Sequence, residues 1–146
     1  MTNFKEDYCA WAEEQGNFLQ KKEWDKVDVE NVAEEIHSLG DMQELRLEGV
    51  ICLWMQCMLK MNYYSEKTDK IREWDLLAFS SKMAANDILE ENPSLLCKID
   101  GYLKDLYIHA HSMVSLEFDG WLYINDRMPT KCPWTVDKIL DTKQGD

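Results

Sequence analysis

The chain has 146 residues, with 28 acidic side chains against 16 basic, a net charge of −12, 45% hydrophobic residues and six Trp. A chain of this length buries roughly two-thirds of its unfolded surface, so it needs no disulfide or metal to hold a core, and its apolar content excludes a disordered polymer. The acidic excess repels a phosphate backbone, and the basic residues are scattered singly or in pairs such as Lys21-Lys22, which argues against a nucleic-acid partner.

Phe4, Tyr8, Trp11, Gln15, Phe18 and Leu19 share one face of a helix expected over residues 3–22, capped by Thr2 or Asn3. Trp24 is expected to anchor the turn that follows. Asp28 is a good N-cap for a second helix, whose apolar residues Val29, Val32, Ile36 and Leu39 line one face. Gly40 reads as a C-cap, and Asp41 with Glu44 as a capping box. Residues 28–63 are therefore two helices or one long kinked helix, and the shift of the apolar stripe across Gly40 favours a break or kink. The next helix, about 41–63, is apolar nearly all round from Val50 onward, interrupted only by Gln56 and Lys60. A helix of that kind is a buried one, and it is expected to be the core.

Ser65 caps a helix expected over about 66–91, with Ile71, Trp74, Leu77, Ala78, Ser81, Ala84, Ala85, Ile88 and Leu89 on its stripe. Asn92-Pro93 punctuates the chain and opens another helix reaching about Glu117. Residues 118–134 are irregular, with Pro129 and Pro133 holding the chain extended; Leu122-Tyr123-Ile124 can be extended or one helical turn. Thr135 caps a short last helix over about 135–141. The expectation is all-α: a single domain over residues 1–146, a mostly antiparallel bundle of four to six helices around the helix at about 41–63.

The five cysteines, at 9, 52, 57, 97 and 132, form no Cys-x-x-Cys pair, which points to reduced thiols and a cytoplasmic setting. The opening MTNFKEDYC lacks the positive and apolar runs of a signal peptide. The longest apolar run, Gly49–Leu59, is too short to span a membrane. Cys52 and Cys57 lie in the most apolar helix, which raises a thiol pKa; Cys132 beside Pro133 is expected to be the most exposed. Glu34-x-x-His37 is half of a di-iron ligand set, but the residues three before His109 and His111 are Leu106 and Ile108, so no second half exists. His109 and His111, two apart, point in nearly opposite directions on a helix. No nucleophile-elbow, phosphate-loop or zinc-protease pattern occurs. No metal, cofactor or catalytic residue is assigned. Asp28, Asn31, Glu34 and Glu35 form either a solvated face opposite Val29, Val32 and Ile36 or a buried polar network.

Asp7-Tyr8-x-x-Trp11-x-x-x-Gln15-x-x-x-Leu19, then Trp24, Asp28-x-x-Asn31-x-x-Glu34-Glu35-Ile36-x-x-Leu39-Gly40, Asn92-Pro93-Ser94-Leu95 and Cys132-Pro133-Trp134-Thr135 together resemble the bacterial "domain of unknown function 29" family. The resemblance covers Asp7 to Asp141 and implies a small all-helical intracellular domain; it brings no activity, substrate or cofactor. The family pattern is more basic after Gly40, where this chain has Asp41-Met42-Gln43-Glu44. If the first two helices pack antiparallel, Gln15 or the Trp11 indole N–H meets Glu34 or Glu35. That would be a polar lock or the floor of a pocket. The reading is a non-catalytic intracellular interaction or regulatory protein, with a protein partner or self-association. The alternative is a small-ligand-binding protein or enzyme using Trp11, Gln15, Asn31, Glu34 and Glu35.

Overall fold

The computed structural model describes residues 2–67, 69–120 and 127–140. All their regular structure is helical: α1 (Tyr8–Lys21), α2 (Val29–Tyr63), α3 (Ile71–Glu91), α4 (Ile99–Phe118) and α5 (Val136–Leu140), with 3-10 turns at Trp24–Lys26, Ser65–Lys67 and Pro93–Lys98. The all-α class is thus found. Contacts divide the chain into two compact units, with the boundary between Met42 and Gln43.

In the first unit, α1 begins later than the expected residue 3. The N–H groups of Glu6 and Asp7 donate to the Asn3 carbonyl, each at 3.1 Å, and that of Lys5 to Asn3 Oδ1 at 2.9 Å. Asn3 thus closes a separate turn instead of capping the helix. Asp7, extended at φ −146°, is the true N-cap and accepts from the Ala10 N–H. Lys22 closes the helix in the left-handed region at φ 59°. Its N–H donates to the Leu19 carbonyl and that of Glu23 to Phe18, a Schellman-type closure on a residue other than glycine. Trp24, expected to anchor the next turn, is exposed. Asp28 caps α2 as expected, accepting from the Asn31 N–H at 3.4 Å. The expected break at Gly40 does not occur: α2 is one unbroken helix from Val29 to Tyr63. An interior glycine costs a helix only about 1 kcal/mol, less than the flanking turns supply.

The second unit is built on the part of α2 from Gln43. Leu47, Ile51, Met55 and Leu59, four apart and on one stripe, are completely buried. α4 lies alongside this stretch. Lys98 Nζ meets Glu44 Oε2 at 2.6 Å, Cys52 Sγ donates to the Leu106 carbonyl at 3.9 Å, and Lys60 Nζ meets Glu117 Oε2 at 2.5 Å. Tyr64 then donates to Asp119. The partners advance together along both helices, so α2 and α4 run parallel, and α3 is the antiparallel return between them. Its first turns hold Trp74, with Lys60 Nζ 5.8 Å from the ring centroid and Phe118 edge-on at 5.9 Å. Trp74, Ala78, Ser81, Ala85 and Ile88, all on the stripe read from the sequence, form the buried face of α3, whereas Ile71 and Leu77 of that stripe are exposed.

Residues 127–134 carry no helix, but they are tied down. Tyr107 Oη donates to the Pro129 carbonyl at 2.6 Å. The Trp134 ring stands 5.1 Å from Trp54 and 6.0 Å from Tyr107, and Met128 is buried. Thr135 Oγ1 accepts from the Lys138 N–H at 3.4 Å, and α5 buries Ile139 and Leu140. Leu122-Tyr123-Ile124 lies outside the described residues.

Two tyrosines of α4 make opposite use of a buried hydroxyl. Burial pushes the pKa of both up to about 12, helped at Tyr102 by Glu48 and Glu44. Yet only Tyr107 has a hydrogen bond; the Tyr102 hydroxyl is buried without a partner among the described residues. Tyr107→Phe orphans the Pro129 carbonyl and is expected to cost about 1 kcal/mol, whereas Tyr102→Phe removes only an unsatisfied group and is expected to be neutral or stabilising. Urea unfolding followed by far-UV circular dichroism measures both, and equal losses from the two substitutions would contradict these assignments.

Candidate functional site

The first unit is organised around one carboxylate. Tyr8 Oη donates to Glu35 Oε2 at 2.7 Å. Seven residues on along α1, Gln15 Oε1 accepts from the backbone N–H of Asp28 at 2.7 Å, seven residues back along α2. The two helices therefore run antiparallel there. Between these pins, Asp28 Oδ2 accepts from Trp11 Nε1 at 3.2 Å and from Asn31 Nδ2 at 2.7 Å. The Asn31 side chain first, then the Asn31 N–H and Trp11 Nε1, hold the Asp28 carboxyl below the usual Asp range, against the opposing effect of desolvation. Trp11 and Gln15 are 3% and 2% exposed, and Gln15 Nε2 has no partner among the described residues. Phe4 packs edge-on to Trp11 with ring centroids 4.7 Å apart. A recess of about 330 Å³ opens beside this cluster, lined by Thr2, Asn3, Phe4, Lys5, Asp28 and Asn31.

Of the five sequence candidates, Trp11, Gln15 and Asn31 converge, and they converge on Asp28. Glu35 is instead engaged by Tyr8, and Glu34 is exposed. The sequence reading has Asp28 as a helix cap and as one of a polar group with Asn31, Glu34 and Glu35, and Tyr8 as a stripe and motif residue, but names neither among the five candidates. The signal for their larger role is the i, i+3 pair Asp28 and Asn31 facing a Trp and a Gln one turn apart on α1. The arrangement neutralises a carboxylate with donors and ties two helix ends together. A carboxyl held in its ionised form is a poor proton donor.

The remaining reactive groups are dispersed. His109 is exposed and His111 half-buried, and burial lowers the basicity of His111. Cys132, expected to be the most exposed thiol, is half-buried; the exposed ones are Cys9 and Cys97. Cys132 Sγ donates to the Trp134 carbonyl at 3.4 Å, because the Trp134 ring folds its segment onto Trp54 and Tyr107. Burial pushes the thiols of Cys52, Cys57 and Cys132 up. Among the described residues no group of three His, Cys, Asp or Glu side chains could hold a metal ion.

The apolar residues of this stretch of α2 are the unexpected feature. Val29, Ile36, Leu39 and Met42 are 55–67% exposed, with Val32 half-buried. The sequence offers a solvated polar face opposite a covered apolar one, or a buried polar network. Neither forms as stated: Asp28, Asn31 and Glu35 are half-buried and bonded to α1 or to one another, Glu34 is exposed, and Val29, Ile36, Leu39 and Met42 face solvent.

The residues of this lock, Tyr8, Trp11, Gln15, Asp28 and Asn31, belong to the N-terminal motif read from the sequence. A family model described as Domain of unknown function DUF29 matches residues 4–144. The chain belongs to the DUF29 family. No curated protein and no solved structure matches it. In this DUF29 chain the motif is, in physical terms, the hydrogen-bonded joint between α1 and the start of α2.

That joint has a pH signature. A folded-state pKa depressed below the unfolded value, about 3.9 for Asp, stabilises the fold above that value, and the stabilisation is lost as pH falls through the folded pKa. The Asp28 carboxyl carbon, followed by NMR, is expected to titrate below the ordinary Asp midpoint. Asn31→Ala is expected to move that midpoint back up. An Asp28 midpoint at the ordinary value in the unsubstituted DUF29 protein would rule the lock out.

Proposed function

We propose that this DUF29 chain is a non-catalytic interaction protein, and that it docks a basic amphipathic helix of another protein along Val29, Ile36, Leu39 and Met42. The observation that carries the reading is an apolar stripe exposed on the very helix whose polar edge is covered. Helix-in-groove recognition uses apolar anchors at this i, i+3, i+4, i+7 type of spacing. Charge supplies the partner's chemistry. Residues 27–42 hold Asp28, Glu30, Glu34, Glu35 and Asp41 and no Lys or Arg. Asp28 and Glu35 are used in the α1 joint, while Glu30, Glu34 and Asp41 are exposed. A second copy would bring the same carboxylates to this face and be repelled, whereas Lys and Arg flanking an apolar stripe would complement it. The reading assigns the protein to the cytoplasm, where five unpaired thiols stay reduced. No helix among the described residues is long and apolar enough to cross a membrane.

A fluorescein-labelled Leu/Lys amphipathic helical peptide, with a Leu/Glu peptide of the same pattern beside it, tests this by fluorescence anisotropy. The Leu/Lys peptide is expected to bind, more weakly as salt is raised. The Leu/Glu peptide is expected not to bind. Ile36→Asp with Leu39→Asp is expected to weaken binding about tenfold or more, with the helical signal unchanged because both positions are exposed. Equal binding by that double variant, equal binding of the two peptides, or no binding at all would overturn the reading.

A further inference from the structure

A second exposed apolar stripe lies in the other unit, on α3, and its charge pattern is of a different kind. α3 is covered on the Trp74, Ala78, Ser81, Ala85, Ile88 side. Its opposite side carries Leu76, Phe79 and Met83, 60%, 64% and 48% exposed. These three, with Arg72 before them and Asp87 after them, follow one another at steps of three or four residues, so all five share one face. Arg72 and Asp87 are both exposed, and neither has an ion-pair or hydrogen-bond partner among the described residues.

We propose that this face of α3 is a self-association surface, on which a second copy of the chain packs its own α3 antiparallel about a two-fold axis beside Phe79. The pattern is its own complement under that operation. With the axis between Phe79 and Ser80, Leu76 of each copy lies opposite Met83 of the other, the two Phe79 rings meet near the axis, and Arg72 of each copy faces Asp87 of the other. A two-fold interface has this property of pairing each residue twice. Arg72 and Asp87 are separated by about 22 Å along the helix at 1.5 Å per residue, so they cannot pair within one copy.

The helix's own field does not account for their placement. Arg72 sits in the first turn of α3, at the positive end of the helix dipole, and no basic residue lies in the last turn, where Glu90 and Glu91 stand at the negative end. An antiparallel neighbour reverses that assignment, since each copy's Arg72 then lies toward the C-terminal half of the other helix, among Asp87 and Glu90. The parallel arrangement would set Arg72 against Arg72 and is disfavoured. The α2 stripe described above has no such balance of sign, so the two apolar faces are separate in place and in partner. Three large side chains per copy make a contact smaller than the roughly 1,200–2,000 Å² typical of specific complexes, so the dimer is weak and dissociates on dilution.

Sedimentation velocity of the full chain over a dilution series tests this. The unsubstituted protein is expected to shift from monomer toward dimer as concentration rises. Phe79→Asp is expected to remain monomeric throughout. Arg72→Asp alone and Asp87→Arg alone are each expected to weaken the dimer, and the double variant Arg72→Asp with Asp87→Arg to restore it, because the swap rebuilds both cross-pairs. All these positions are exposed, so far-UV circular dichroism is expected to stay unchanged. A protein monomeric at every concentration, a dimer that Phe79→Asp leaves intact, or a double variant no stronger than its parents would overturn the proposal. Peptide binding at the α2 stripe, measured on the monomeric Phe79→Asp variant, is read separately and does not depend on this result.

Discussion

One hydrogen-bonded ladder, α2 from Val29 to Tyr63, belongs to both compact units and faces two unlike tasks along its length. From Gln43 onward it lies among α3, α4 and the 127–140 segment, and four residues at successive four-residue steps are wholly out of water. Before that point it has one helical neighbour, α1, within its unit. A helix cannot change its side-chain period between these regions without breaking. The difference is carried by composition alone: apolar residues nearly all round in one region, a single stripe in the other. The second unit's parallel pairing of α2 with α4 follows from the same ladder, because α3 must return along it before α4 can begin.

With a single partner helix, the first unit has too little apolar surface to close a core in the ordinary way. It uses directed bonds instead. Asp28 accepts from three donors, and Gln15 and Tyr8, each about one turn from Trp11 along α1, pin the same pair of helices. Buried polar groups that are satisfied fix one geometry and exclude slipped alternatives more sharply than apolar contacts do, though their net stabilisation is modest. Gln15 Nε2, buried without a partner among the described residues, is a loose end of that arrangement. Phe4 packs edge-on to Trp11, so the cluster joins a small aromatic cap to a polar seam. Covering the polar edge of α2 has a consequence for the rest of the helix: α1 cannot also cover Val29 and Ile36, which lie round the helix from Asp28, Asn31 and Glu35, and Leu39, one turn past Glu35, lies beyond the Tyr8–Glu35 pin at which α1 begins.

Helical class, the buried stretch at about 41–63, the stripe of α3 from Trp74 to Ile88 and the Thr135 cap are legible in the sequence, because each is set by local spacing. The misread features depend on competition between local signals. Gly40, Asp41 and Glu44 spell a helix end and a new start, but a glycine's cost is small beside an uninterrupted ladder. Asn3 and Asp7 are both acceptable caps, and Asn3 is taken by a turn of its own. Cys132 looks open beside a proline until the Trp134 ring, two residues on, finds Trp54 from a helix far away in sequence. In the candidate cluster, Trp11, Gln15 and Asn31 can be read as a group, yet Asp28 as their meeting point requires knowing how α1 and α2 are registered. Glu34, beside Glu35 in sequence, points elsewhere because adjacent helical residues are about 100° apart.

The two exposed apolar stripes show why hydrophobicity alone does not name a partner. Both consist of three or four large side chains at helical spacing, and both would release a similar area from water if covered. Their flanks separate them. Around Val29, Ile36 and Leu39 the charges are all of one sign, so two copies brought together there would add repulsion in a site that is losing solvent screening. In line with Leu76, Phe79 and Met83 the two flanking charges, Arg72 and Asp87, are of opposite sign, so an antiparallel copy would set each against its opposite. An apolar stripe thus sets how much surface wants cover, and the order of charges along it decides whether that cover is another copy of the chain or a different one.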